Sequence, residues 1–457
     1  RDSVQEADFT GSTLPLTKHS YLVPDVRDLA RIIKEAFYIA TTGRPGPVVI
    51  DMPSDVTAAK TKFEYPRAVN LRGYRVLNKV NLLQVNQAAR LINQAERPLL
   101  YTGGGVITSS AAPELLALAE KACIPVTTTL MGLGGFPEDH RLSLGMLGMH
   151  GTRYANYAVC ECDCLIAVGA RFDDRVTGKI DSFAPRAQVV HIDIDPAEIG
   201  KNVRVNVPIV GDVRQVLQEL IPRIEERTSR PEWLEMIDQW KARYPLTYSQ
   251  GTDVIKPQYV VEQIWEATGG EAIITTEVGQ NQMWAAQFYK FKYPRTMVTS
   301  GGLGTMGFGF PAAIGAQLGR PDSVVFCIAG DGSFQMNSQE LATAVANRLP
   351  VNVAILNNGY LGMVRQWQEL FWGGRYSHTD LRAVDHFSPD FVKLAEAYGA
   401  TGMRITRPEE VRPAIEQAIA TPGPVVMDFV VDREENVFPM VAPGSSLSNM
   451  LGGCEEE

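Results

Sequence analysis

Two polar segments of the chain carry residues whose types and spacing could bind a divalent cation. Asp331 comes just after the apolar stretch Ser323–Ala329. Asn358 comes just after the apolar stretch Val351–Leu356. We predict one helix between them, over Ser333–Arg348, so the two strands should be parallel neighbours whose carboxyl ends meet at one edge of a sheet. Carboxylate and amide oxygens suit Mg²⁺, and the pattern therefore predicts a magnesium site there.

The start of that predicted helix could bind a diphosphate beside the cation. Gly332 and Ser333 offer backbone N–H groups at the positive end of a helix dipole. Phosphate oxygens and water would complete the octahedral shell of the Mg²⁺ ion. A Gly-Asp-Gly sequence alone is a weak signal. The same sequence followed at this spacing by Asn-Asn at a strand end is a strong one.

Two glycine-rich segments in the middle of the chain could form a crevice for a ligand of nucleotide size. They are Leu144-Gly-Met-Leu-Gly-Met-His-Gly151 and Gly169-Ala-Arg-Phe-Asp-Asp-Arg-Val176. Glycine turns let backbone amides approach a ligand, and Arg171 could pair with a phosphate or a carboxylate. The alternative is a sheet without a cofactor, in which His150 is only a polar loop residue.

Apolar strands that alternate with helices predict a doubly wound parallel sheet in the middle of the chain, with ligands bound beyond the carboxyl ends of the strands. The predicted strands are Pro98–Tyr101, Ile124–Thr128, Cys164–Val168, Val189–Ile194 and Val207–Val210. The closely spaced Cys160, Cys162 and Cys164 resemble a metal motif. No second ligand pair accompanies them, so we predict that they pack in the interior.

A helix followed by Pro-Gly-Pro-Val-Val, one apolar residue and Asp occurs twice. The helices are predicted over Asp28–Arg44 and Glu409–Ala420, and the strands end at Asp51 and Asp428. The repeat suggests two copies of one α/β unit, although Pro-Gly before a β-branched strand is also ordinary turn chemistry. The first copy has far fewer residues before its repeat than the second. We therefore expect the first unit to be truncated, with Arg1 at a cut.

Composition excludes several classes of function. The chain has 457 residues and a formal net charge of -9, without a basic cluster, which argues against a nucleic-acid partner. No apolar run approaches the roughly 18–20 residues of a membrane-spanning helix, so we expect a soluble protein. Six cysteines do not form a disulfide framework in so long a chain, which suggests a reducing compartment.

The segments around Asp331 and Asn358 resemble the catalytic subunit of the acetohydroxyacid synthase (acetolactate synthase) family. The matching strings are Thr276-Glu-Val-Gly-Gln-Asn-Gln-Met-Trp-Ala-Ala286, Ser300-Gly-Gly-Leu-Gly-Thr-Met-Gly307 and Gly362-Met-Val-Arg-Gln-Trp367. The resemblance extends from Gln5 to about Ser446. It implies an α/β fold of three doubly wound parallel-sheet domains of the thiamine-diphosphate enzyme type, the first one truncated.

The resemblance also implies a function and a set of site residues in the last domain. The function is decarboxylation of pyruvate and its condensation with a second pyruvate or 2-ketobutyrate, in the biosynthesis of valine, leucine and isoleucine. Mg²⁺ would bind Asp331, Asn358 and the backbone carbonyl of Tyr360. Met306 would support the bent cofactor and Met363 would pack near its pyrimidine, although without the family both would be assigned to the core. The residues implied for thiamine diphosphate are Val278, Gly279, Gln280, Asn281, Gly304, Met306, Asp331, Gly332, Ser333, Asn358, Tyr360, Gly362 and Met363.

In the same family the central domain binds FAD in a structural, non-redox role. The substrate channel would include Met149, Asp174, Arg175 and Trp367, with Arg175 on the acceptor carboxylate and the Trp367 ring favouring 2-ketobutyrate. Without the family, Trp367 would be assigned to the core. The residues implied for FAD are Gly103, Gly104, Thr128, Leu130, Met131, Leu147, Gly148, Met149, His150, Gly169, Arg171, Asp173, Arg175, Val176, Asp193 and Asp212.

The chain departs from the family pattern at two places. The family activates its cofactor with a glutamate early in the first domain, and no residue between Arg1 and Asp51 matches that motif. We assign neither Glu6 nor Glu35 to the role, so we expect this chain alone to be inactive. Ser54 stands where the family commonly has Lys, which puts one contact at the channel entrance in doubt.

Several readings remain open beside the first. Another thiamine enzyme of the same architecture, such as a pyruvate oxidase or glyoxylate carboligase, is one, and a non-catalytic truncated chain is another. The resemblance implies a homodimer or tetramer, a small regulatory subunit, and a cytoplasmic location in a bacterium or an organellar one in a eukaryote. The expected division is a pyrimidine-binding remnant over 1–65, a linker over 66–85, an FAD-binding domain over 86–227, a linker over 228–255, a diphosphate- and Mg²⁺-binding domain over 256–431 and a tail over 432–457.

Overall fold

The computed structural model of the protein describes residues 6–76, 79–382, 384 and 387–452. The ends of the predicted first unit and tail, residues 1–5 and 453–457, lie outside the described residues. Within the described part, two parallel sheets of six strands each dominate the fold. We call them the central sheet and the C-terminal sheet. They confirm the predicted parallel α/β class.

The N-terminal part forms a smaller parallel pair of strands. Strand β1 pairs in parallel with β2, and helix α2 crosses between them. Ile32, Ala36 and Ile39 bury the inner face of α2, which is shorter than predicted. Exposed Phe37 lies on the outer face of the same helix. The elements are α1 (Phe9–Thr13), β1 (His19–Leu22), α2 (Leu29–Thr41), β2 (Val48–Asp51) and α3 (Ser54–Ala58).

The central sheet has the strand order β5-β4-β3-β6-β7-β8, with all pairs parallel. The predicted strands over 164–168 and 207–210 have the observed bounds. Strand β5 was not predicted, since Gly145 with φ +66° interrupts its apolar pattern. The elements are α4 (Leu82–Gln94), β3 (Pro98–Thr102), α5 (Gly104–Thr108), α6 (Ala112–Ala122), β4 (Val126–Thr128), β5 (Ser143–Met146), α7 (Arg153–Glu161), β6 (Cys164–Val168), α8 (Asp174–Thr177), β7 (Gln188–Asp193), β8 (Val207–Val210) and α9 (Val213–Leu220).

The closely spaced cysteines pack against apolar side chains. Cys162 and Cys164 are buried, and Cys160 is partly buried. Burial raises the pKa of the Cys164 thiol to about 12, which keeps it protonated. No group of three His, Cys, Asp or Glu side chains within the described residues could hold a metal ion. The connector after the central sheet contains helix α10 (Pro231–Arg243), whose Trp233 is buried and donates to Pro98 O at 3.1 Å.

The C-terminal sheet has the strand order β10-β9-β11-β12-β14-β13, again all parallel. Strands β11 and β12 are neighbours, as predicted from the spacing of Asp331 and Asn358. The elements are α11 (Pro257–Thr268), β9 (Ile273–Thr276), α12 (Gln280–Phe288), β10 (Met297–Thr299), α13 (Gly309–Gly319), β11 (Val325–Gly330), α14 (Asp331–Phe334), α15 (Leu341–Ala346), β12 (Val351–Asn357), α16 (Gly362–Phe371), α17 (Phe391–Tyr398), β13 (Thr401–Ile405), α18 (Pro408–Ala420), β14 (Val425–Val430), β15 (Met440–Val441) and β16 (Met450–Leu451).

The prediction of one continuous helix over residues 333–348 was wrong. The segment forms the short helices α14 and α15, with a 3-10 turn over Ser338–Glu340 between them. Asn337 lies at the break with φ -138° and ψ 30°, and its side-chain amide donates to Gly307 O at 2.6 Å. This contact with a residue distant in sequence replaces a helical conformation at Asn337.

Both copies of the sequence repeat form a helix followed by a parallel strand. Strand β2 ends at Asp51, which accepts a hydrogen bond from Thr10 Oγ1 at 3.0 Å. In the second copy, Asp428 accepts hydrogen bonds from Asn357 Nδ2 at 2.9 Å and from Arg404 Nε at 3.1 Å. The second aspartate therefore fixes the residue just before Asn358. None of the helices in the described part is long and apolar enough to cross a membrane.

Candidate active site

One cavity of about 1670 Å³ joins the two sheets and the loop after α2. Its walls come from residues that follow β3, β6, β8, β9, β11 and β12 and from the ends of β5 and β7. This is the carboxyl edge at which parallel α/β sheets bind ligands. Thr128 and Gly148 do not reach the cavity wall as the described residues form it, whereas the other residues predicted for the cofactors and substrate do.

Asp331 is the first residue of α14, directly after β11. Asp331 is 2% exposed, and its Oδ1 atom has no hydrogen-bond partner among the described residues. Burial raises the pKa of this carboxyl to about 7. A buried carboxylate oxygen without a donor is costly unless a cation or another donor satisfies it. The position therefore suits a metal ligand.

Asn358 follows the neighbouring strand β12 and is held from two sides. Its Nδ2 donates to Gln280 Oε1 at 3.1 Å, and its Oδ1 accepts the Tyr360 N–H at 3.0 Å. A Cβ atom on Gly362 would lie 2.0 Å from Gln280 Oε1 and 2.8 Å from Asn358 Nδ2, so a side chain there would displace this hydrogen-bonded pair. Gln280 also donates to Gln366 Oε1 at 2.9 Å. The structure thus brings together five residues that the sequence analysis named separately or in different strings.

Asn281 and Met306 are two further predicted residues that line this end of the cavity. Asn281 Nδ2 donates to Ile328 O at 2.9 Å, which ties the start of α12 to the end of β11. A Cβ atom on Gly332 would lie 4.0 Å from Met306 Cε, so the loop that carries Met306 passes close to the turn that carries Asp331 and Gly332. Met363 both lines the cavity and packs on the apolar core, which agrees with either sequence interpretation.

Arg433 is a site residue that the sequence analysis missed. Its Nε donates to Asn358 O at 3.2 Å, and its guanidinium carbon lies 4.5 Å from the centre of the Tyr360 ring. Its Nη2 also donates to Asp380 Oδ1 at 3.1 Å. A lone arginine in an irregular tail carries no local signal, because these contacts depend on the tertiary fold.

The glycines of the central sheet pack backbone against backbone at the other end of the cavity. Gly105 N donates to Gly169 O at 2.9 Å, and Gly169 has φ +57°. A Cβ atom on Gly169 would lie 2.6 Å from Gly105 Cα. Side chains are therefore excluded from this junction, and the neighbouring Gly104 and Arg171 line the cavity.

Two polar atoms near this end are buried without a partner. His150 Nδ1 and Thr128 Oγ1 have no hydrogen-bond partner within the part of the chain that the structure describes. Burial, together with the nearby positive charge of Arg175, lowers the pKa of His150 to about 4. His150 is therefore neutral at physiological pH, and its free ring nitrogen can serve a bound ligand.

Arg44 reaches this end of the cavity from the N-terminal part and was also missed. Its Nη1 lies 3.0 Å from Glu198 Oε1, and both residues line the cavity. The turn that carries Arg44 is held by Lys18, whose Nζ donates to Ile39 O at 2.6 Å and to the hydroxyl of Tyr74 at 3.0 Å. The sequence signal was available in Gly43-Arg-Pro45, but only as ordinary turn chemistry.

The residues predicted for the substrate channel meet between the two ends. The guanidinium carbon of Arg175 lies 5.8 Å from the centre of the Trp367 ring. Arg175 Nη1 also lies 3.3 Å from Asp174 Oδ2, and Met149 N donates to Arg175 O at 2.8 Å. The Arg175 side chain is largely exposed, so its charge faces the open cavity.

The glutamates of the N-terminal part do not take part in this site. Glu35 is buried in α2, where Arg31 Nη1 lies 2.9 Å from its Oε2 atom and Tyr21 donates to it at 3.3 Å. Glu6 and Glu35 are absent from the cavity wall as far as the described residues define it.

Family models match the chain in two regions. Residues 277–429 match the thiamine pyrophosphate enzyme C-terminal TPP binding domain, and residues 85–220 match the thiamine pyrophosphate enzyme central domain. The first region contains both halves of the Asp331 and Asn358 motif. The second contains the glycine-rich segments of the central sheet.

Curated relatives match almost the whole chain. It is 50% identical over 455 residues to the acetolactate synthase large subunit of Corynebacterium glutamicum, covering 98% of this chain and 73% of that protein. It is 51% identical over 453 residues to the acetolactate synthase of Mycobacterium bovis, covering 97% and 73%. It is 50% identical over 462 residues to the acetolactate synthase large subunit of Pyropia yezoensis, covering 99% and 77%. With this identity, and with the thiamine motif at the edge of the C-terminal sheet, the chain belongs to the acetolactate synthase large-subunit family of thiamine-diphosphate-dependent enzymes.

Proposed function

We propose that the cavity decarboxylates pyruvate and condenses the product with a second 2-keto acid. The acceptor is pyruvate or 2-ketobutyrate, and the product is 2-acetolactate or 2-aceto-2-hydroxybutyrate, in the biosynthesis of branched-chain amino acids. The observation that carries the proposal is the pairing of Arg175 with Trp367. A cation beside an apolar ring suits a small acid with a carboxylate at one end and an alkyl group at the other.

Mg²⁺ and the diphosphate fit the turn between β11 and β12. The unpartnered buried oxygen of Asp331, the side-chain oxygen of Asn358 and the backbone carbonyl of Tyr360 would hold the ion. Val278–Asn281 and Gly332 would line the diphosphate position, and Met306 the ring position beside them. When bound, thiamine diphosphate supplies the electron sink that decarboxylation of a 2-keto acid requires.

FAD fits the other end of the cavity. The glycine junction leaves room for a ligand to approach the backbone, and His150 Nδ1 is available as a polar partner. Arg171 lines this end and can pair with a phosphate. We assign FAD a structural role here, with the residues named from the sequence and with Arg44 added to them.

In this proposal the protein's own residues bind and orient the two acids. Arg175 binds the acceptor carboxylate, and Asp174 steadies the guanidinium through their ion pair at 3.3 Å. The Trp367 ring contacts the acceptor's alkyl group, while Met149 closes the channel from the central sheet. Positioning of two reactants in one cavity lowers the entropic part of the barrier.

The remaining assignments rest on the same family. We propose domain limits at 1–65, 86–227 and 256–431, with linkers over 66–85 and 228–255 and a tail over 432–457. We also propose a homodimer or tetramer, a small regulatory subunit, and a cytoplasmic location in a bacterium or an organellar one in a eukaryote.

A product assay tests the function against other thiamine enzymes. The chain is mixed with a full-length homologue disabled by the equivalent of Asp331→Ala, and the mixture is incubated with pyruvate, thiamine diphosphate, Mg²⁺ and FAD. We expect acetolactate, detected after acid conversion to acetoin. Acetyl phosphate in the presence of inorganic phosphate, or tartronate semialdehyde from glyoxylate, would instead identify an oxidase or another carboligase. The matched control is the same mixture with an Arg175→Met variant, which should lose acceptor binding; its bound FAD is measured in parallel, because Arg175 is also named among the FAD residues.

A further inference from the structure

Glu277 is an ionisable residue in the cofactor region to which nothing above gives a role. It lies between the end of β9 and Val278, and its residue is 0% exposed. Its Oε2 accepts the Gly307 N–H at 2.7 Å, and its Oε1 accepts the Phe310 N–H at 3.0 Å. Both carboxylate oxygens therefore accept hydrogen bonds from the backbone, one from the loop that follows β10 and one from the start of the helix after that loop.

The loop reaches Glu277 at the start of α13. This helix spans Gly309–Gly319, and a carboxylate at its N-terminus is stabilised by the free N–H groups and the helix dipole. A Cβ atom on Gly309 would lie 2.5 Å from Glu277 N, so the helix start is packed directly on the backbone of β9. The carboxylate thus fixes where the loop ends relative to the strand.

The two segments that Glu277 joins carry different parts of the proposed thiamine site. Gly304 and Met306 precede the held residue Gly307 by only a few positions and line the cavity. Val278 and Gly279 follow Glu277 directly and line the diphosphate end. The diphosphate end has a separate anchor, because Asn281 Nδ2 donates to the backbone carbonyl of Glu277 at 3.1 Å. That bond does not depend on the Glu277 side chain.

We propose that Glu277 is a positioning residue that sets the distance between the Met306 loop and the diphosphate turn, and thereby the fit of the thiamine ring system. The inference rests on the proposed thiamine site and adds a division of labour within it. The carboxylate governs the ring end, while the backbone of the same residue governs the diphosphate end.

The test compares two probes on one variant. Glu277→Gln keeps the shape of the side chain but replaces one acceptor oxygen with an NH₂ group, which cannot accept from Gly307 or Phe310. Dissociation constants are measured by isothermal titration for Mg²⁺ with thiamine diphosphate and for Mg²⁺ with inorganic pyrophosphate. We expect the constant for thiamine diphosphate to rise roughly ten-fold or more, the usual cost of a lost hydrogen bond to a charged group. The constant for pyrophosphate should change by less than about two-fold, since the Asn281 bond remains.

The matched control is Glu138→Gln, in which another glutamate that accepts a backbone N–H, from Phe291 at 2.7 Å, is changed in the same way away from the cavity wall. It should leave both constants unchanged. If Glu277→Gln weakens the binding of both probes equally, Glu277 is merely a structural residue. If it leaves the binding of both unchanged, Glu277 has no role in the site. Either result overturns the inference.

Two further arms separate the possible failures. Glu277→Asp keeps the charge but shortens the reach, and we expect it to weaken thiamine diphosphate binding less than the Gln variant does. If both variants lose the fold, Glu277 is a structural residue and the inference is wrong. If the unchanged protein binds neither probe, the proposed function fails and the inference falls with it.

Discussion

The guanidinium of Arg175 lies over the ring of Trp367, with 5.8 Å between the guanidinium carbon and the ring centre. Arg175 lies in the second glycine-rich segment of the central sheet, whereas Trp367 lies on α16 beside the C-terminal sheet. The pair therefore joins the two halves of the cavity and defines a pocket with one charged and one apolar wall. The choice of acceptor should depend on it.

Changing Trp367 to Leu should reduce the preference for 2-ketobutyrate over pyruvate. In the proposed pocket the indole ring would contact the extra methyl group of 2-ketobutyrate, and one methylene in an apolar pocket is worth roughly 1–3 kcal/mol. The ratio of the two products from mixed substrates should therefore fall at least several-fold. Trp367→Phe, which keeps an aromatic wall, is the control and should fall less. An unchanged ratio in the Leu variant would remove Trp367 from the acceptor pocket.

Changing Asp331 to Ala should abolish Mg²⁺-dependent binding of thiamine diphosphate and leave FAD binding intact. Its unpartnered buried oxygen is the anionic ligand of the proposed metal turn. The end of the cavity proposed for FAD does not include Asp331. Titration of the apoprotein with each cofactor checks both halves of the prediction. Asp51→Ala, which changes an aspartate at the end of β2 away from the cavity, is the control. Wild-type affinity for thiamine diphosphate in the Asp331 variant would contradict the motif assignment.

The sequence predicted those site residues that local motifs mark. Asp331 and Asn358 could be predicted because each follows a strand, and two strands joined by one crossover are neighbours. Arg433 contacts Asn358 and Arg44 lines the cavity. Neither could be predicted, since each comes from a segment distant in sequence and has no motif that points to a ligand. The break in the predicted helix at residue 337 has the same origin. It depends on the contact between Asn337 and Gly307, which only the folded chain brings together.

FAD should bind the purified protein without being reduced during turnover. The glycine junction of the central sheet and the neutral His150 favour binding, and the proposed condensation transfers no electrons overall. The absorbance of the bound flavin near its oxidised maximum should stay constant while pyruvate is consumed. Folded protein that takes up no flavin from excess FAD would contradict the assignment. Bleaching of the flavin in step with product formation would contradict its structural role.

The stability of the fold should fall as the pH rises towards about 8, in part because of Glu138. The pKa of this carboxyl is raised from the ordinary 4.5 to about 8. Burial is the largest cause of the increase, and the nearby Asp139 adds to it, whereas the hydrogen bond with Phe291 and the charge of Lys290 oppose it. For a carboxyl whose pKa is raised by folding, the stabilising contribution is complete below pH 4.5 and is lost as the pH rises through about 8. The Gln variant does not ionise, so it lacks this loss.

The measurement is the melting temperature of the wild type and of Glu138→Gln between pH 5 and about 9. The difference, variant minus wild type, should increase as the pH rises from 5 and should level off above about 8. Glu138 connects the central sheet to the C-terminal sheet through Phe291, so the effect concerns the packing of the two sheets on each other. A difference that stays constant with pH would show that this carboxyl does not titrate in the folded protein.

The 457 residues alone should turn over pyruvate far more slowly than a complete family member. Among the described residues that line the cavity, the carboxylates are Asp173, Asp174, Asp193, Glu198, Asp212 and Asp331, and the one glutamate among them pairs with Arg44 at the flavin end. None is therefore placed to assume the role of the glutamate that the family uses to activate its cofactor. General acid–base assistance of this kind is worth roughly 10²–10⁴-fold in rate. Mixing the 457-residue chain with a full-length homologue disabled by the equivalent of Asp331→Ala should restore part of the acetolactate-forming rate, because in the proposed dimer the homologue's first domain would supply the family's glutamate. The disabled homologue alone is the control. A full rate from this chain by itself would mean that another residue replaces the glutamate, and would remove the reason for expecting an inactive chain.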